Sequence, residues 1–427
     1  MATPSDEPGS GRTLTGPLLA VTLINLLFFS GYLFFFPTLP FFLEKLGGRE
    51  SEIGLLIGIS SLTSLALRPF VGYFVDRRGR KPVLVAGLAI FIVNCLLYNV
   101  VTSPAAVFPL RLLTGASLAT VITAATTYIA DMAPPEKRGQ VLSYFALSNA
   151  VGFAIGPALG GYIIHASVFN RFDDLFTDRF DWLAGARTGE LNFTTMFLVA
   201  AAIGVVAMVL ATRLPESRPK LEGPPKRPGF GDLFAKEAAM PALVSFTSAF
   251  AFAGMVTFLP LFARDVGLEN PGALFIAYAV FVILMRFTVG PFMDRVSRAA
   301  VILPGIGALV ATLLVIAAAD NVFMLFVAAA LWGIGMGTFQ PAMMAFTVDR
   351  TPIAVRGRAM GTFTMGMDLG ISLGSLALGI VVEAFGFRPA YVMAAIVVAL
   401  GMVFFAWAWF RHPVQADAGV AAGSAER

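Results

Sequence analysis

The sequence predicts an all-α integral membrane protein whose twelve transmembrane helices form two pseudo-symmetric six-helix bundles. The composition is the first reason, because 57% of the 427 residues are hydrophobic and only 13% are charged, whereas soluble domains have roughly 45–50% and about 25%. The second reason is that apolar runs of about 20 residues, enough to cross roughly 30 Å of hydrocarbon, recur along the chain. The third is an internal repeat that relates the two halves.

The apolar runs define twelve predicted spans, numbered in chain order. They begin near Leu18, Ile53, Val83, Ala105, Val141, Phe193, Ala242, Ala273, Ala299, Val322, Ala359 and Ala390. The predicted organisation is a tail over residues 1–16, a six-span bundle over 17–212, a linker over 213–238, a second six-span bundle over 239–411 and a tail over 412–427.

Most of the basic residues lie in the connections on one side of the predicted membrane. Positive charges favour the cytoplasmic side, so both termini are predicted to be cytoplasmic and the protein to reside in the cell (inner) membrane. We call the span ends on the side of residues 77–81 the predicted inner ends, and the opposite ends the predicted outer ends. This placement explains the net charge of +4 without a nucleic-acid partner. The expected partners are the lipid bilayer, protons and a small molecule.

The two halves match at a fixed offset of 218 residues. Charged residues are rare within spans, so a constant offset among them indicates a true repeat. Two bundles related by an axis along the membrane normal are the expected arrangement. The offset pairs Arg68 with Arg286, Asp76 with Asp294, Arg77 with Arg295, Arg80 with Arg298, Gly115 with Gly333, Asp131 with Asp349, Gly152 with Gly370 and Gly156 with Gly374.

A dense run of charges, Gly72-x-x-x-Asp76-Arg77-x-Gly79-Arg80-Lys81, separates spans 2 and 3. Charges at this density cannot stay in hydrocarbon, so the run predicts a polar turn at the membrane surface, with Gly72 allowing close helix approach and Gly79 the tight turn. The pattern closely resembles the signature loop of the major facilitator superfamily of transporters. That resemblance implies an inner gate in which Asp76 faces the start of span 11; the alternative is that the charges only fix topology. The candidate gating residues are Gly72, Asp76, Arg77, Gly79, Arg80 and Asp131, with Asp294 and Arg295 in the second half.

Two further motifs resemble those of proton-linked exporters in this superfamily. Arg111 and Gly115 of span 4 form an Arg-x-x-x-Gly pattern, and in the resembling exporters this arginine is associated with proton transfer. The alternative is that its side chain extends to the outer interface. Span 5 carries a complete Gly-x-x-x-Gly-Pro-x-x-Gly-Gly pattern, which is similar to the motif associated with antiporters. Its members are Gly152, Gly156, Pro157, Gly160 and Gly161.

Asp368 of span 11 is the acid that we expect to carry the proton, with Arg111 as its associate in proton coupling. It lies ten residues past the expected start at Arg358, so it is roughly 15 Å deep. The other acids near spans lie close to an end, where water reaches them. The alternative is that Asp368 is a polar residue bonded to a neighbouring helix.

The resemblance also places the substrate near the midplane, between spans 1, 4, 7 and 10. Eight polar, aromatic or methionine side chains of spans 1, 7 and 10 are the candidate wall of the binding site. They are Asn25, Tyr32, Phe36, Phe250, Met255, Phe339, Gln340 and Met343.

Together these features predict a secondary active transporter, working as a monomer by alternating access. The favoured function is proton-coupled efflux, by antiport, of a small amphipathic organic compound or drug, with the proton gradient as energy source and no cofactor. The alternatives are an exporter of a sugar or metallophore-like metabolite, and a facilitator or symporter on the same fold. An enzyme is disfavoured, because the sequence has no nucleotide-binding loop, and its single cysteine and two histidines form no cluster that could bind a metal.

Overall fold

The computed structural model describes residues 16–133, 138–165, 192–217, 234–289, 296–352 and 355–411, and these residues form helices joined by short connections. Each predicted span is present and starts within three residues of its expected position. Span 1 comprises Gly16–Leu33 and Phe35–Lys45, span 2 is Glu50–Arg78, span 3 is Arg80–Leu97, span 4 is Pro104–Met132, span 5 is Arg138–His165, span 6 is Phe193–Thr212, span 7 comprises Ala239–Thr257 and Leu259–Asp265, span 8 is Gly272–Thr288, span 9 is Arg298–Ala317, span 10 is Val322–Asp349, span 11 is Arg356–Phe385 and span 12 is Phe387–Arg411.

Ten of these spans are long and apolar enough to cross a membrane over their described residues. Spans 5 and 8 present shorter apolar helical runs, Val151–His165 and Gly272–Thr288. The predicted linker 213–238 is described only at its two ends, so its extent stays a prediction.

Spans 1 and 7 are each broken near the predicted outer end. Span 1 breaks at Phe34, three residues before Pro37, and span 7 breaks at Phe258, two residues before Pro260. Proline has no N–H to donate to the preceding turn and its ring crowds the carbonyl four residues earlier. At the first break the Thr38 hydroxyl donates to Phe34 O at 2.7 Å. Both breaks therefore lie in the first span of a half, toward the predicted outer end.

The packing of spans follows the sequence repeat throughout the described chain. In the first half, span 1 packs on spans 5 and 6, span 4 on spans 2 and 3, and span 3 on span 6. In the second half, span 7 packs on spans 11 and 12, span 10 on spans 8 and 9, and span 9 on span 12. Each half is thus one bundle. The bundles meet where span 2 packs on span 11 and span 5 on span 8.

One kind of ion pair recurs at repeat-related positions. Arg80 Nε donates to Asp131 Oδ2 at 2.7 Å, and its counterpart Arg298 Nε donates to Asp349 Oδ2 at 2.9 Å. Both pairs tie the start of one span to the end of the next. The predicted two-fold plan is therefore realised in side-chain contacts as well as in helix order.

Candidate functional site

Spans 2 and 11 belong to different bundles and pack closely along their outer halves. Gly54 and Gly58 of span 2 face the backbone of span 11, and a Cβ atom on Gly58 would lie 2.6 Å from the Ser372 carbonyl oxygen. From the other side, a Cβ atom on Gly379 would lie 2.7 Å from Glu50 O. Small residues allow helix backbones to approach in this way. The bundle interface is therefore closed at the predicted outer end.

Two ion pairs cross the same end of the interface. Both terminal nitrogens of Arg264 in span 7 donate to the Glu44 carboxylate of span 1, each at 2.7 Å. Arg49 lies 3.9 Å from the Glu383 carboxylate of span 11. Exposed ion pairs contribute at most about 1 kcal/mol each. The close glycine packing, rather than these charges, therefore accounts for most of the closure.

A small cavity lies inside this closed end, between the bundles. Its volume is about 30 Å³, close to the volume of one water molecule, whereas ligand sites have roughly 300–1,000 Å³. In this arrangement the cavity is too small for an organic substrate, so the bundles must move for one to bind. It is lined by Tyr32, Phe35, Phe36, Leu39, Ile57, Ser60, Ser61 and Arg111 of the first bundle and by Phe252, Val256 and Ile371 of the second.

Aromatic rings bridge the bundles along the cavity wall. Phe36 of span 1 has its ring centroid 5.6 Å from that of Tyr32 and 6.1 Å from that of Phe252 in span 7. Phe153 of span 5 also lies 6.1 Å from Phe252. Edge-to-face contacts at such distances are favourable. The wall therefore offers ring faces and edges to an apolar ligand.

Arg111 is buried at the cavity wall and is held by span 2 of its own bundle. Its Nε donates to Leu56 O at 2.8 Å, and its Nη2 donates to Ile57 O at 3.3 Å and to Ser60 Oγ at 2.6 Å. The side chain therefore does not extend to the outer interface, which was the alternative raised by the sequence. These acceptors are neutral, so they fix the guanidinium without compensating its positive charge.

Asp368 pairs with Arg68 of the opposite bundle instead of with Arg111. Arg68 Nη1 lies 2.8 Å from Asp368 Oδ2, although the N–H is not directed well enough for a hydrogen bond. Asp368 follows the start of span 11 at Arg356 by twelve residues, or roughly 18 Å. Helical side chains lean toward their own N-terminus, and spans 2 and 11 run in opposite directions, so the two side chains lean toward each other. An ion pair between a buried acid and a half-buried arginine thus joins the bundles, away from the ends of both spans.

Only two of the eight predicted wall residues, Tyr32 and Phe36, line this cavity. Because the cavity is too small to hold a substrate, the predicted wall stays a prediction for an arrangement that admits one. Asn25 lies between spans 1 and 5, where its amide donates to Ser148 Oγ at 2.8 Å and contacts Asn149. The others that do not line the cavity are Phe250, Met255, Phe339 and Met343, which are buried, and Gln340, which is half-buried.

The antiporter-type motif of span 5 packs against span 1. Cβ atoms on Gly152, Gly156 and Gly160 would lie 2.6–2.9 Å from atoms of Phe29, Leu33 and Phe34 of span 1, and Pro157 lies within the helix between them. A Cβ atom on Gly161 would instead lie 2.8 Å from the Cα of Gly272 in span 8, across the bundle interface. The motif therefore shapes both the broken span 1 and the bundle contact.

The predicted gating cluster is assembled around Arg80, which is buried. Its Nη2 lies 3.5 Å from Asp76 Oδ1, in addition to the bond to Asp131. Arg77 donates to the Tyr73 hydroxyl of its own span at 3.1 Å. Gly79, at the turn, has the left-handed φ of 104° that favours glycine. Gly72 lies within span 2, and no heavy atom lies within 4 Å of the position that its Cβ would take. The close helix approach predicted at Gly72 is therefore not made in this arrangement.

The expected contact of Asp76 with span 11 is not made in this arrangement. Its side chain is 46% exposed, and its ion-pair partner within the described part of the chain is Arg80 of its own bundle. Asp294 and Arg295 lie outside the described residues, so their role in gating stays a prediction. The contacts are those of an interface that is closed at the predicted outer end. In such an arrangement the gate at the predicted inner end need not be closed.

Glu216, at the start of the predicted linker, caps span 3. Its carboxylate accepts from Arg80 N at 2.8 Å and from Lys81 N at 3.2 Å. An acid at a helix N-terminus satisfies free N–H groups and complements the helix dipole. The Tyr128 hydroxyl donates to the adjacent Pro215 O at 3.0 Å. The linker therefore begins docked on the turn between spans 2 and 3.

The family model described as Major Facilitator Superfamily matches residues 21–285 and 266–426 of this sequence. The chain belongs to the major facilitator superfamily of transporters. The transporter is 27% identical to Multidrug resistance protein 1 of Bacillus subtilis (strain 168), over 63% of this chain and 67% of that protein. It is 24% identical to the Staphylopine export protein of Staphylococcus aureus (strain Mu50 / ATCC 700699), over 91% of this chain and 94% of that protein.

Solved structures bear out the fold of the transporter. A bacterial homolog of the human lysosomal transporter Spinster, in an inward-facing and occupied conformation, matches with a TM-score of 0.75 and 17% identity, over 94% of this chain and 97% of that chain. The nucleoside transporter NupG matches with a TM-score of 0.68 and 17% identity, over 92% and 99%. At this identity the likeness concerns the fold alone. Membership of the superfamily, shown by the family match, makes this chain a multi-pass membrane transporter and not an enzyme.

Several site residues of the transporter were not singled out from the sequence. Ser60, Ser61 and Phe252 belong to spans that are apolar all round, so no amphipathic pattern shows which face meets the cavity. Arg68 did carry a signal, because a charge within a span is costly and needs a partner. Neither its partner nor the capping role of Glu216 could be read from the sequence, since both depend on residues more than a hundred positions away.

Proposed function

We propose that this transporter exports a small amphipathic organic compound in exchange for protons, with Asp368 carrying the proton and Arg68 as its counter-charge. The observation that carries the proposal is the ion pair across the bundle interface, 2.8 Å between Arg68 Nη1 and Oδ2 of the buried Asp368. Ionisable residues inside a membrane are expensive, and they mark ion and proton pathways in transporters.

The pair gives protonation a mechanical consequence. With Asp368 ionised, the attraction to Arg68 holds spans 2 and 11 together, and with them the two bundles. A proton on Asp368 neutralises the carboxylate and removes that attraction, which leaves Arg68 without its partner. A fully buried pair loses on the order of 3–5 kcal/mol in this way, and the 25% exposure of the Arg68 side chain reduces that cost here. Proton binding would therefore favour an arrangement in which the two spans separate and Arg68 reaches water or another anion.

Three observations support export by antiport. The motif of span 5 is complete, and its glycines lie against the broken span 1 and against span 8. One relative is named a multidrug resistance protein and another an export protein.

We propose that the transporter resides in the cell membrane with both termini in the cytoplasm, on the distribution of basic residues. We propose a monomer as the working unit.

The test is transport by the purified protein in proteoliposomes with an imposed pH gradient, using a panel of fluorescent amphipathic dyes. Asp368→Asn keeps the shape of the side chain and removes its titration. It should abolish gradient-driven transport and spare the exchange of labelled for unlabelled dye without a gradient. The matched control is Asp320→Asn, because Asp320 is an exposed acid paired with Arg388 at the predicted outer end, and this variant should transport normally. Full gradient-driven transport by Asp368→Asn would contradict the assignment of the proton site.

Two other functions share this fold and most of these motifs. Export of a metallophore-like metabolite is favoured by the relative named Staphylopine export protein, since that match extends over 91% of this chain. Substrate transport that does not depend on the pH gradient would instead indicate a facilitator. Accumulation of the substrate in the compartment that protons enter would indicate a symporter. Adding a metallophore and a sugar to the dye panel separates these cases.

A further inference from the structure

The ionised side chains inside the described spans are unbalanced in sign. Away from the span ends, the described helices contain Arg68, Arg111 and Asp368, which are two cations and one acid, while Arg286 lies in the last turn of span 8. Buried charges in proteins are normally paired, because an isolated charge in a low-dielectric interior is costly. Asp368 compensates Arg68, as described above. The interior of the transporter therefore keeps an excess of positive charge.

Arg111 is the excess cation that lines the cavity. None of the described carboxylates is in ion-pair contact with it, and its hydrogen-bond acceptors are the backbone of span 2 and the Ser60 hydroxyl. Spans 1 and 7, which supply the aromatic wall, contain no ionised side chain along Gly16–Leu33 and Ala239–Thr257. The cavity therefore presents one fixed guanidinium with no ion-pair partner among the described residues.

A ligand can supply that counter-charge. A cationic ligand at this wall would meet like charge in a medium of low dielectric, where repulsion is strong. An anionic group would meet a guanidinium that is already held in place and whose Nη1 donors are not used in the hydrogen bonds to span 2, so it could accept a charge-assisted hydrogen bond from Nη1. The rings of Tyr32, Phe36 and Phe252 would receive the apolar body of the same ligand.

We propose that the substrate of this transporter is an organic anion with a flat apolar body, whose carboxylate or similar group pairs with Arg111 at the cavity wall. This deepens the proposed export function and rests on it for direction and energy source. Protonation of Asp368 would strengthen the preference, because it leaves a second cation, Arg68, uncompensated on the adjoining face of the interface. The proposal concerns recognition, so it can be tested without a proton gradient.

The experiment measures equilibrium binding to the full-length purified transporter by three probes with one ring system. They are 2-naphthoate, 2-naphthamide and 2-naphthylmethylammonium, which carry a negative, a neutral and a positive group. The carboxylate should bind about tenfold more tightly than the amide, which corresponds to one charge-assisted contact, and the ammonium should bind most weakly. Arg111→Gln should remove the preference for the carboxylate while leaving the affinity for the amide within about twofold.

The control variant is Arg388→Gln, which removes an exposed guanidinium paired with Asp320, and it should keep the preference. If Arg111→Gln does not fold, the order of the three probes on the unaltered protein decides alone. Binding of the ammonium or the amide at least as tight as that of the carboxylate, or no saturable binding of the carboxylate, would overturn the proposal. Because no gradient is used, such a result would leave the Asp368 transport experiment free to succeed or fail separately.

Discussion

A methyl group added to Gly58 should weaken the closed outer end of the interface by an amount that the structure allows us to estimate. The new Cβ would lie 2.6 Å from the Ser372 carbonyl oxygen, whereas ordinary contacts are 3.4–4 Å. The opposing atom is backbone, so it cannot rotate away, and spans 2 and 11 would have to separate. Overpacking of this kind costs typically about 1–3 kcal/mol. That range corresponds to a shift of about 5- to 150-fold in the ratio of closed to open interfaces.

A matched control is available in span 9. No heavy atom lies within 4 Å of the position that a Cβ on Gly307 would take. Alanine is favoured over glycine in helices by about 1 kcal/mol, and this gain is common to Gly58→Ala and Gly307→Ala. A difference between the two variants therefore isolates the contact with span 11.

The assay is double electron–electron resonance between spin labels at the predicted outer ends of the two bundles. Lys45 in span 1 and Glu269 just after span 7 are exposed and can be replaced by cysteine. The native Cys95 is buried and is replaced by alanine in every sample. Gly58→Ala should move a fraction of the distance distribution to longer values, and Gly307→Ala should not. Identical distributions for the two variants would refute the view that glycine packing closes this end.

Two further predictions concern the predicted inner end and are measured as thermal stability of the purified protein. Glu216→Ala removes the cap of span 3 and should lower the free energy of unfolding by about 1 kcal/mol. Glu216→Gln should recover part of that loss. Unchanged stability in Glu216→Ala would mean that the contact between the linker and span 3 does not stabilise the protein. Arg80→Ala should cost on the order of 1–3 kcal/mol because it leaves two carboxylates without their shared donor, while Arg77→Ala, at an exposed site, should stay within about 0.5 kcal/mol. Equal losses in the two arginine variants would contradict this assignment.

The start of every span could be predicted because membrane helices obey a one-dimensional rule. Crossing the hydrocarbon requires about 20 apolar residues, and charged residues gather where that requirement ends. The repeat was equally readable, since Arg80 and Asp131 recur as Arg298 and Asp349, and the structure forms both pairs. Family membership followed from short motifs such as the turn at Gly79. These features depend on neighbours in the chain, so the chain alone specifies them.

The wall of the cavity could not be predicted in the same way. A soluble helix reveals its buried face by its polar residues, but a membrane helix is apolar toward lipid and apolar toward its neighbours. Phe250 and Phe252 of span 7 are alike in the sequence, yet Phe252 lines the cavity and Phe250 does not. The rotation of each span about its axis decides between them. That rotation is fixed only by close packing with other spans.

The sequence by itself determined that this chain is a twelve-span transporter built from a repeated half. It also showed that Asp368 and Arg111 are ionisable residues within spans, which predicts a role in transport. Only the tertiary structure decided that Asp368 pairs with Arg68 across the bundles and that Arg111 is held by neutral acceptors. The physical reason is that a charge in a low-dielectric interior requires a partner, but does not specify which one. The partner is whichever group the packing of helices, three hundred residues apart for Arg68 and Asp368, brings within a few ångströms.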